Sequence, residues 1–109
     1  MASTFKNFTA QSVGSTANAV YNPTTSGIQS TIIGMTIANR GSTTISVDVF
    51  LNDGSANTYL VKSAIVPIGG ALIPIGGDQK LVVEQNNTVY VSSNTASSAD
   101  VILSVLEIT

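Results

Sequence analysis

The side chains that could do chemistry are few. Six carboxylates (Asp48, Asp53, Asp78, Glu84, Asp100, Glu107) and four cations (Lys6, Arg40, Lys62, Lys80) stand in a chain with no histidine and no cysteine. Without imidazole or thiol, the usual general base, the commonest metal ligand and the partners of a nucleophilic triad are missing. Hydrolysis by paired carboxylates needs two groups converging on one cleft, and here they fall singly in turns and at outward strand positions. Lys62 and Ser63 are neighbours in an extended segment and point to opposite faces, so they make no Ser–Lys pair. Asn52-Asp53-Gly54 and Gly76-Gly77-Asp78 are the two places for a loop calcium, yet neither offers an oxygen at every second residue. The Gly-Gly pairs are not followed by Lys-Ser/Thr and open no helix, so they do not cradle phosphate. The chain reads as non-enzymatic, without metal or cofactor.

Binding chemistry is narrowed by the same inventory. A net charge of −2 and a pI near 4.5 leave no basic patch to follow a nucleic acid backbone. There is no tryptophan, and Tyr21, Tyr59 and Tyr90 sit in apolar strand contexts, where they read as core or half-core residues rather than as a glycan platform. No cysteine means no disulfide frame. The first residues lack the apolar core of a secretory signal, and no run approaches the ~20 apolar residues of a membrane span. These features predict a soluble protein, made in a cytoplasm, that binds neither nucleic acid nor membrane.

The elements that must position these residues are strands. At 109 residues the chain is one domain, 1–109. The segment from Tyr59 to Glu84 is cut by Pro67, Gly69-Gly70 and Gly76-Gly77 into three apolar runs, Tyr59–Val66, Ala71–Ile75 and Lys80–Glu84. Glycine accepts positive φ and proline cannot donate to a ladder, so the segment predicts strand, turn, strand, turn, strand. Thr43–Asn52 alternates most cleanly, with Ile45, Val47, Val49 and Leu51 inward. Ser30–Asn39 also alternates, with Thr31, Ile33, Met35 and Ile37 on one face, and the turn Arg40-Gly-Ser42 predicts that the two pair as a hairpin. Turns are expected at Asn52-Asp53-Gly54-Ser55 and Gln85-Asn86-Asn87-Thr88. Further strands are expected at Ala17–Tyr21, Thr88–Ser93 and Asp100–Ile108. Phe5 and Phe8, three apart, make residues 1–10 an edge strand or an arm reaching a neighbouring subunit. Eight to nine short strands punctuated every 8–12 residues predict an all-β antiparallel sandwich, jelly-roll-like or Ig-like.

Several of these runs are also familiar. Tyr-Leu-Val-Lys at 59–62, Ile-Val-Pro-Ile-Gly-Gly-Ala-Leu at 65–72, Ile-Gly-Gly-Asp-Gln-Lys-Leu-Val-Val-Glu at 75–84 and Ala-Asp-Val-Ile-Leu-Ser-Val-Leu-Glu-Ile-Thr at 99–109 resemble small virion structural proteins of tailed bacteriophages, including those of cyanobacterial and marine hosts. So do Ile-Ala-Asn-Arg at 37–40 and Val-Asp-Val at 47–49. The resemblance covers about the last two-thirds of the chain and rests on turn-and-strand features. It implies a β-sandwich repeated on a virion, as a capsid decoration or cement protein contacting the major capsid protein. The alternative it leaves is a neck, tail or fibre component, or a receptor- or glycan-binding module.

Composition points to assembly independently. The chain is 43% hydrophobic and only 9% charged, so some apolar surface must be covered by other chains if not by its own sheets. Charges and prolines that normally blunt exposed edges are scarce. Phe5, Phe8, Ile102, Leu106 and Ile108 are the expected contact residues of a homo-oligomer, a trimer if it occupies local three-fold positions of a capsid. Gly54, Pro67, Gly69, Gly70, Gly76 and Gly77 are the expected turn residues.

Overall fold

The computed structural model describes residues 3–109; Met1 and Ala2, the start of the expected N-terminal edge strand or arm, lie outside the described residues. The described chain forms nine strands and no helix: β1 (Ser3–Val13), β2 (Asn18–Tyr21), β3 (Gln29–Asn39), β4 (Ile45–Asn52), β5 (Asn57–Val66), β6 (Ala71–Ile75), β7 (Leu81–Val83), β8 (Thr88–Ser93) and β9 (Ala99–Ile108). Every pairing is antiparallel. One sheet runs β1-β9-β3-β6, with β7 also on β3; the other runs β2-β8-β4-β5. We call them sheet A and sheet B. The first and last strands pair, as do the third and the last, in the order of a jelly roll built from two Greek keys. The expected all-β sandwich is therefore formed, and the Ig-like alternative is not.

Inward positions explain why the sheets close. Ile32, Met35, Ile37, Val101, Leu103 and Val105 from sheet A meet Ile45, Val47, Val49, Val66, Val89 and Val91 from sheet B, all of them essentially excluded from solvent. Most are β-branched, with side chains stiff at χ1 that pack well on a pleated surface. Each such side chain contributes about 1.5–3 kcal/mol by burial. β9 is central in sheet A, between β1 and β3; its inward face is buried, while Ile102 on its outward face stays exposed.

Three sequence expectations need correction. The alternating segments β3 and β4 are not a hairpin: β3 lies in sheet A and β4 in sheet B, and Arg40–Thr44 carries the chain across the sandwich. Consecutive strands of sheet B pair as a hairpin at β4–β5, closed at Asn52↔Asn57. The Tyr59–Glu84 segment does run strand, turn, strand, turn, strand, as β5, β6 and β7, but its turns are not hairpins. Its first turn crosses from β5 in sheet B to β6 in sheet A, while β6 and β7 lie end to end along β3, opposite Met35–Ala38 and Ser30–Ile32. Gly76–Lys80 thus interrupts one edge strand rather than reversing it. Finally, the inward phase of β3 changes part-way, because the register shifts between Ile32 and Gly34. A bulge sets two residues against one, so Ile32 is buried before it and Met35 and Ile37 after it. Thr31 and Ile33 consequently leave the face on which simple alternation puts them.

The turn chemistry itself falls where the sequence puts it. Gly54, Gly69 and Gly77 have φ of 99°, 73° and 60°, and Asn86 has 70°. The Gly70 amide donates to the Pro67 carbonyl at 2.9 Å and the Gln79 amide to that of Gly76 at 3.0 Å. Gly70 and Gly76 keep ordinary φ but have no room: an added Cβ would lie 2.9 Å from Pro67 Cγ and 2.8 Å from Ile73 Cγ2.

Candidate functional site

No carboxylates converge, and among the described residues no three acidic, histidine or cysteine side chains gather as metal ligands would. The two loop candidates for calcium resolve differently. Asp53 is consumed by its own turn, Oδ1 accepting from the amides of Ser55 and Ala56 and from Ser55 Oγ at 3.0–3.1 Å. Those donors, the Ala56 amide foremost, hold its carboxyl below the ordinary value. In the other loop Lys80 Nζ donates to the Gly77 carbonyl. Lys62 and Ser63 lie where the β5 register is broken, Ser63 with φ of 55°, and the Ser63 amide donates to Asp48 Oδ1 at 2.6 Å.

What the fold does bring together is apolar surface. Register places Phe5, Leu106, Thr31 and Val82 in one row across β1, β9, β3 and β7, and Thr9, Ile102 and Thr36 in another. Both rows are on the outward side of sheet A, because Val105, Leu103 and Val83, their chain neighbours, are buried. Phe5 is 74% exposed, Ile102 56%, Val82 64% and Ile73 of β6 65%, while Leu106, Ile108 and Ile33 on this side are half-buried. Of the expected contact residues, Phe5, Ile102, Leu106 and Ile108 share this face. Phe8 does not: it turns inward and packs on Tyr21, ring centroids 4.8 Å apart. Val82, Ile73 and Ile33 were missed. The first two lie on the edge strand β6–β7, whose true neighbour the turn signals hid, and Ile33 is displaced by the bulge.

The outward side of sheet B is different. Phe50 is flanked by Tyr59 of β5 and Tyr90 of β8, its register partners, at centroid distances of 5.1 and 5.2 Å. Lys62 Nζ stands 4.5 Å from the Tyr59 ring centroid. Phe50 is only 9% exposed under these neighbours, while Tyr59 is 41% exposed. Tyr59 is therefore a surface residue of this aromatic row, contrary to the sequence expectation, whereas Tyr90 is half-buried in it and Tyr21 lies in the core, both as expected.

A polar cluster lies between the sheets beside β1. Glu107 is buried, and it accepts from Tyr21 Oη at 2.5 Å and pairs with Lys6 Nζ at 3.0 Å, while Tyr21 Oη also bonds Ser30 Oγ at 2.9 Å. Burial, and after it the hydrogen bond to the Glu107 carboxylate, pushes the Tyr21 hydroxyl up to about 12. Burial by itself raises Glu107, but the bonds from Tyr21 and Lys6 and the Lys6 charge outweigh it and leave the carboxyl below its ordinary value. The signal for this cluster was in the sequence: Val101, Leu103, Val105 and Glu107 share one phase. A second, exposed cluster joins Arg40 Nη1 to Asp100 Oδ1 at 3.1 Å and to Ser12 Oγ at 3.0 Å, with the Ser12 amide also on Asp100 Oδ1.

No family model and no curated protein matches the chain. Among solved structures it is similar to a chain from the endospore appendages of Bacillus, described as a novel family of disulfide-linked pili, with a TM-score of 0.58 and 17% identity over 99% of this chain and 87% of that one. At that identity the likeness is one of fold. The present chain has no cysteine with which to form such links.

Proposed function

We propose that this chain is a non-enzymatic structural subunit that self-associates, with the virion of a tailed bacteriophage as its setting and a capsid decoration or cement role as its task. The observation that carries the reading is the outward side of sheet A, where Phe5 and Ile102 stand exposed on the neighbouring strands β1 and β9 and Ile73 and Val82 on β6 and β7 across β3. Contiguous apolar surface of this kind marks an interaction site on a soluble domain. The likeness to a chain of bacterial pili supports the use of such a sandwich in an assembly, and the turn-and-strand resemblance supports the phage setting. A second reading, a glycan- or receptor-contacting module on the same particle, is favoured by one observation, the exposed Tyr59 ring in its aromatic row.

Light scattering at low micromolar concentration tests the first reading, together with co-sedimentation with expanded phage heads. A homo-oligomer that also pellets with heads supports it. A clean monomer that leaves heads unbound removes the cement role, and binding to a glycan panel that Tyr59→Ala abolishes then establishes the second.

A further inference from the structure

We infer that the first part of β1, Ser3–Ala10, is an exchangeable arm: in the assembled state it leaves its own sheet and takes the same place beside β9 of a second copy of this chain. The inference rests on the self-association reading and specifies how that association is made.

Four observations carry it. β1 is an edge strand whose ladder runs to β9 alone. Its ladder breaks between Ala10 and Val13, and at the break Ser12 has φ of 56°, a left-handed conformation that a serine holds only under constraint. The two sides of the break are anchored very differently. Val13 is buried, its carbonyl accepts from the Ser98 amide at 3.1 Å, and the Gly14 carbonyl accepts from Ser93 at 2.9 Å; Ser3–Asn7 are exposed on both faces of the strand. A strained hinge thus joins a segment fixed in the body of the sandwich to one held by its ladder to β9 and the inward contacts of Lys6 and Phe8.

The seat is specific as well. Along the inward side of the arm, Lys6 meets the buried Glu107 carboxylate and Phe8 meets Tyr21. An empty seat leaves a buried carboxylate without its cation and a row of β9 amides and carbonyls without partners, which is costly. A strand with a cation and an aromatic two residues apart is needed to fill it, and a second copy supplies that strand. Exchange then recreates every contact of the closed monomer in trans, the low-cost route to an oligomer of identical chains. Ser3–Ala10 fills the seat along its whole length, from Ile108 to Val101, so Gln11 and Ser12 bridge the copies and the second copy's seat must begin close to the hinge. The Arg40, Asp100 and Ser12 cluster latches the hinge from outside, where a neighbour can open it.

The test is an Asn7→Cys/Ser104→Cys pair. These residues are directly opposed across β1 and β9 and both are exposed, within the Cα range of a disulfide. Oxidised after assembly, the variant is expected to give covalently linked oligomers on a non-reducing gel. Oxidised first as dilute monomer, it is expected to need at least tenfold more protein to assemble, with recovery on reduction. Only intramolecular disulfides in the assembled state, or unchanged assembly of the locked monomer, overturns the exchange while leaving self-association standing. A wild-type chain that never associates overturns both. Ser12→Gly is the second variant, because glycine relaxes the closed hinge and should weaken assembly severalfold. Unchanged or tighter assembly by that variant counts against the arm.

Discussion

The outward sides of the two sheets are built from the same alternation and end differently. On sheet B the apolar residue at the centre, Phe50, has tyrosines on both neighbouring strands, and they cover it. On sheet A the central Ile102 has Thr9 and Thr36 beside it, and two threonines cannot enclose an isoleucine. An outward apolar residue is therefore not in itself a contact site; the size of its cross-strand neighbours decides whether the sheet finishes its own surface. Around Phe50 sheet B covers its own surface, although Ile65 of β5 stands 66% exposed further along. Around Ile102 sheet A leaves work for another chain.

The largest test of this contrast sits in one strand. Leu103 is buried between the sheets, and its neighbour Ile102 points out. Leu103→Ala should cost about 2–5 kcal/mol in denaturant unfolding, the transfer loss plus a cavity. A cost near zero means that the sheets do not close over this position, and the inside-outside assignment of β9 is then wrong.

The next effect belongs to the polar cluster beneath β1. Tyr21→Phe removes the hydroxyl that satisfies Glu107 and should cost about 1–3 kcal/mol, the usual range for an under-satisfied buried group. The pH dependence has two signs. Glu107 is lowered in the folded state, so its contribution is present above the ordinary 4.5 and is lost as pH falls below that value. Tyr21 is raised, so its contribution is complete below 10.0 and is lost as pH rises from there towards about 12. Stability measured across both windows should fall at each end, and Tyr21→Phe should remove the alkaline fall. A fall that survives the substitution assigns it to another group.

These residues also mark how much of the molecule was legible in the sequence. Period-2 patterning located nearly every strand, and Gly54, Gly69, Gly77 and Asn86 were readable because a left-handed turn requires residues of their kind. Strand partners were not legible. Ile45, Val47 and Val49 must face inward whichever sheet holds them, so the pattern of β4 is the same in a hairpin with β3 and across the sandwich from it. The outward face of sheet A suffers most from this. Ile102, Leu106 and Phe5 could be named from their own strands, but Val82 and Ile73 join them only once β6 and β7 are known to share β3. Phe8 shows the converse: its place by Tyr21 depends on a contact between segments that no local pattern reports.

A smaller effect separates the two glycine pairs from ordinary strand glycines. Gly69→Val and Gly77→Val force a β-branched residue into positive φ and should each cost more than ~1 kcal/mol. Both turns serve the edge strand of sheet A, so the loss should come with weakened association. Two variants that melt like the parent protein mean that the backbone at these turns adapts, and the edge of sheet A is then less fixed than its register implies.

The smallest stability effects give the sharpest contrast between the faces. Ile102→Ser changes an exposed side chain and should alter monomer stability by no more than about 0.5 kcal/mol. If the outward side of sheet A meets other copies, the same change should weaken association at least tenfold, since an apolar contact is replaced by a hydroxyl that must be desolvated. Tyr59→Ser should do the reverse. It strips the cover from Phe50 and the seat from Lys62 and should cost about 0.5–1.5 kcal/mol of stability through the lost aromatic pair, with association unchanged. Light scattering and thermal melts on the two variants read both quantities. Equal loss of association from the two variants dissolves the distinction between the covered row around Phe50 and the uncovered row around Ile102, whereas loss confined to Ile102→Ser identifies sheet A as the side on which copies meet.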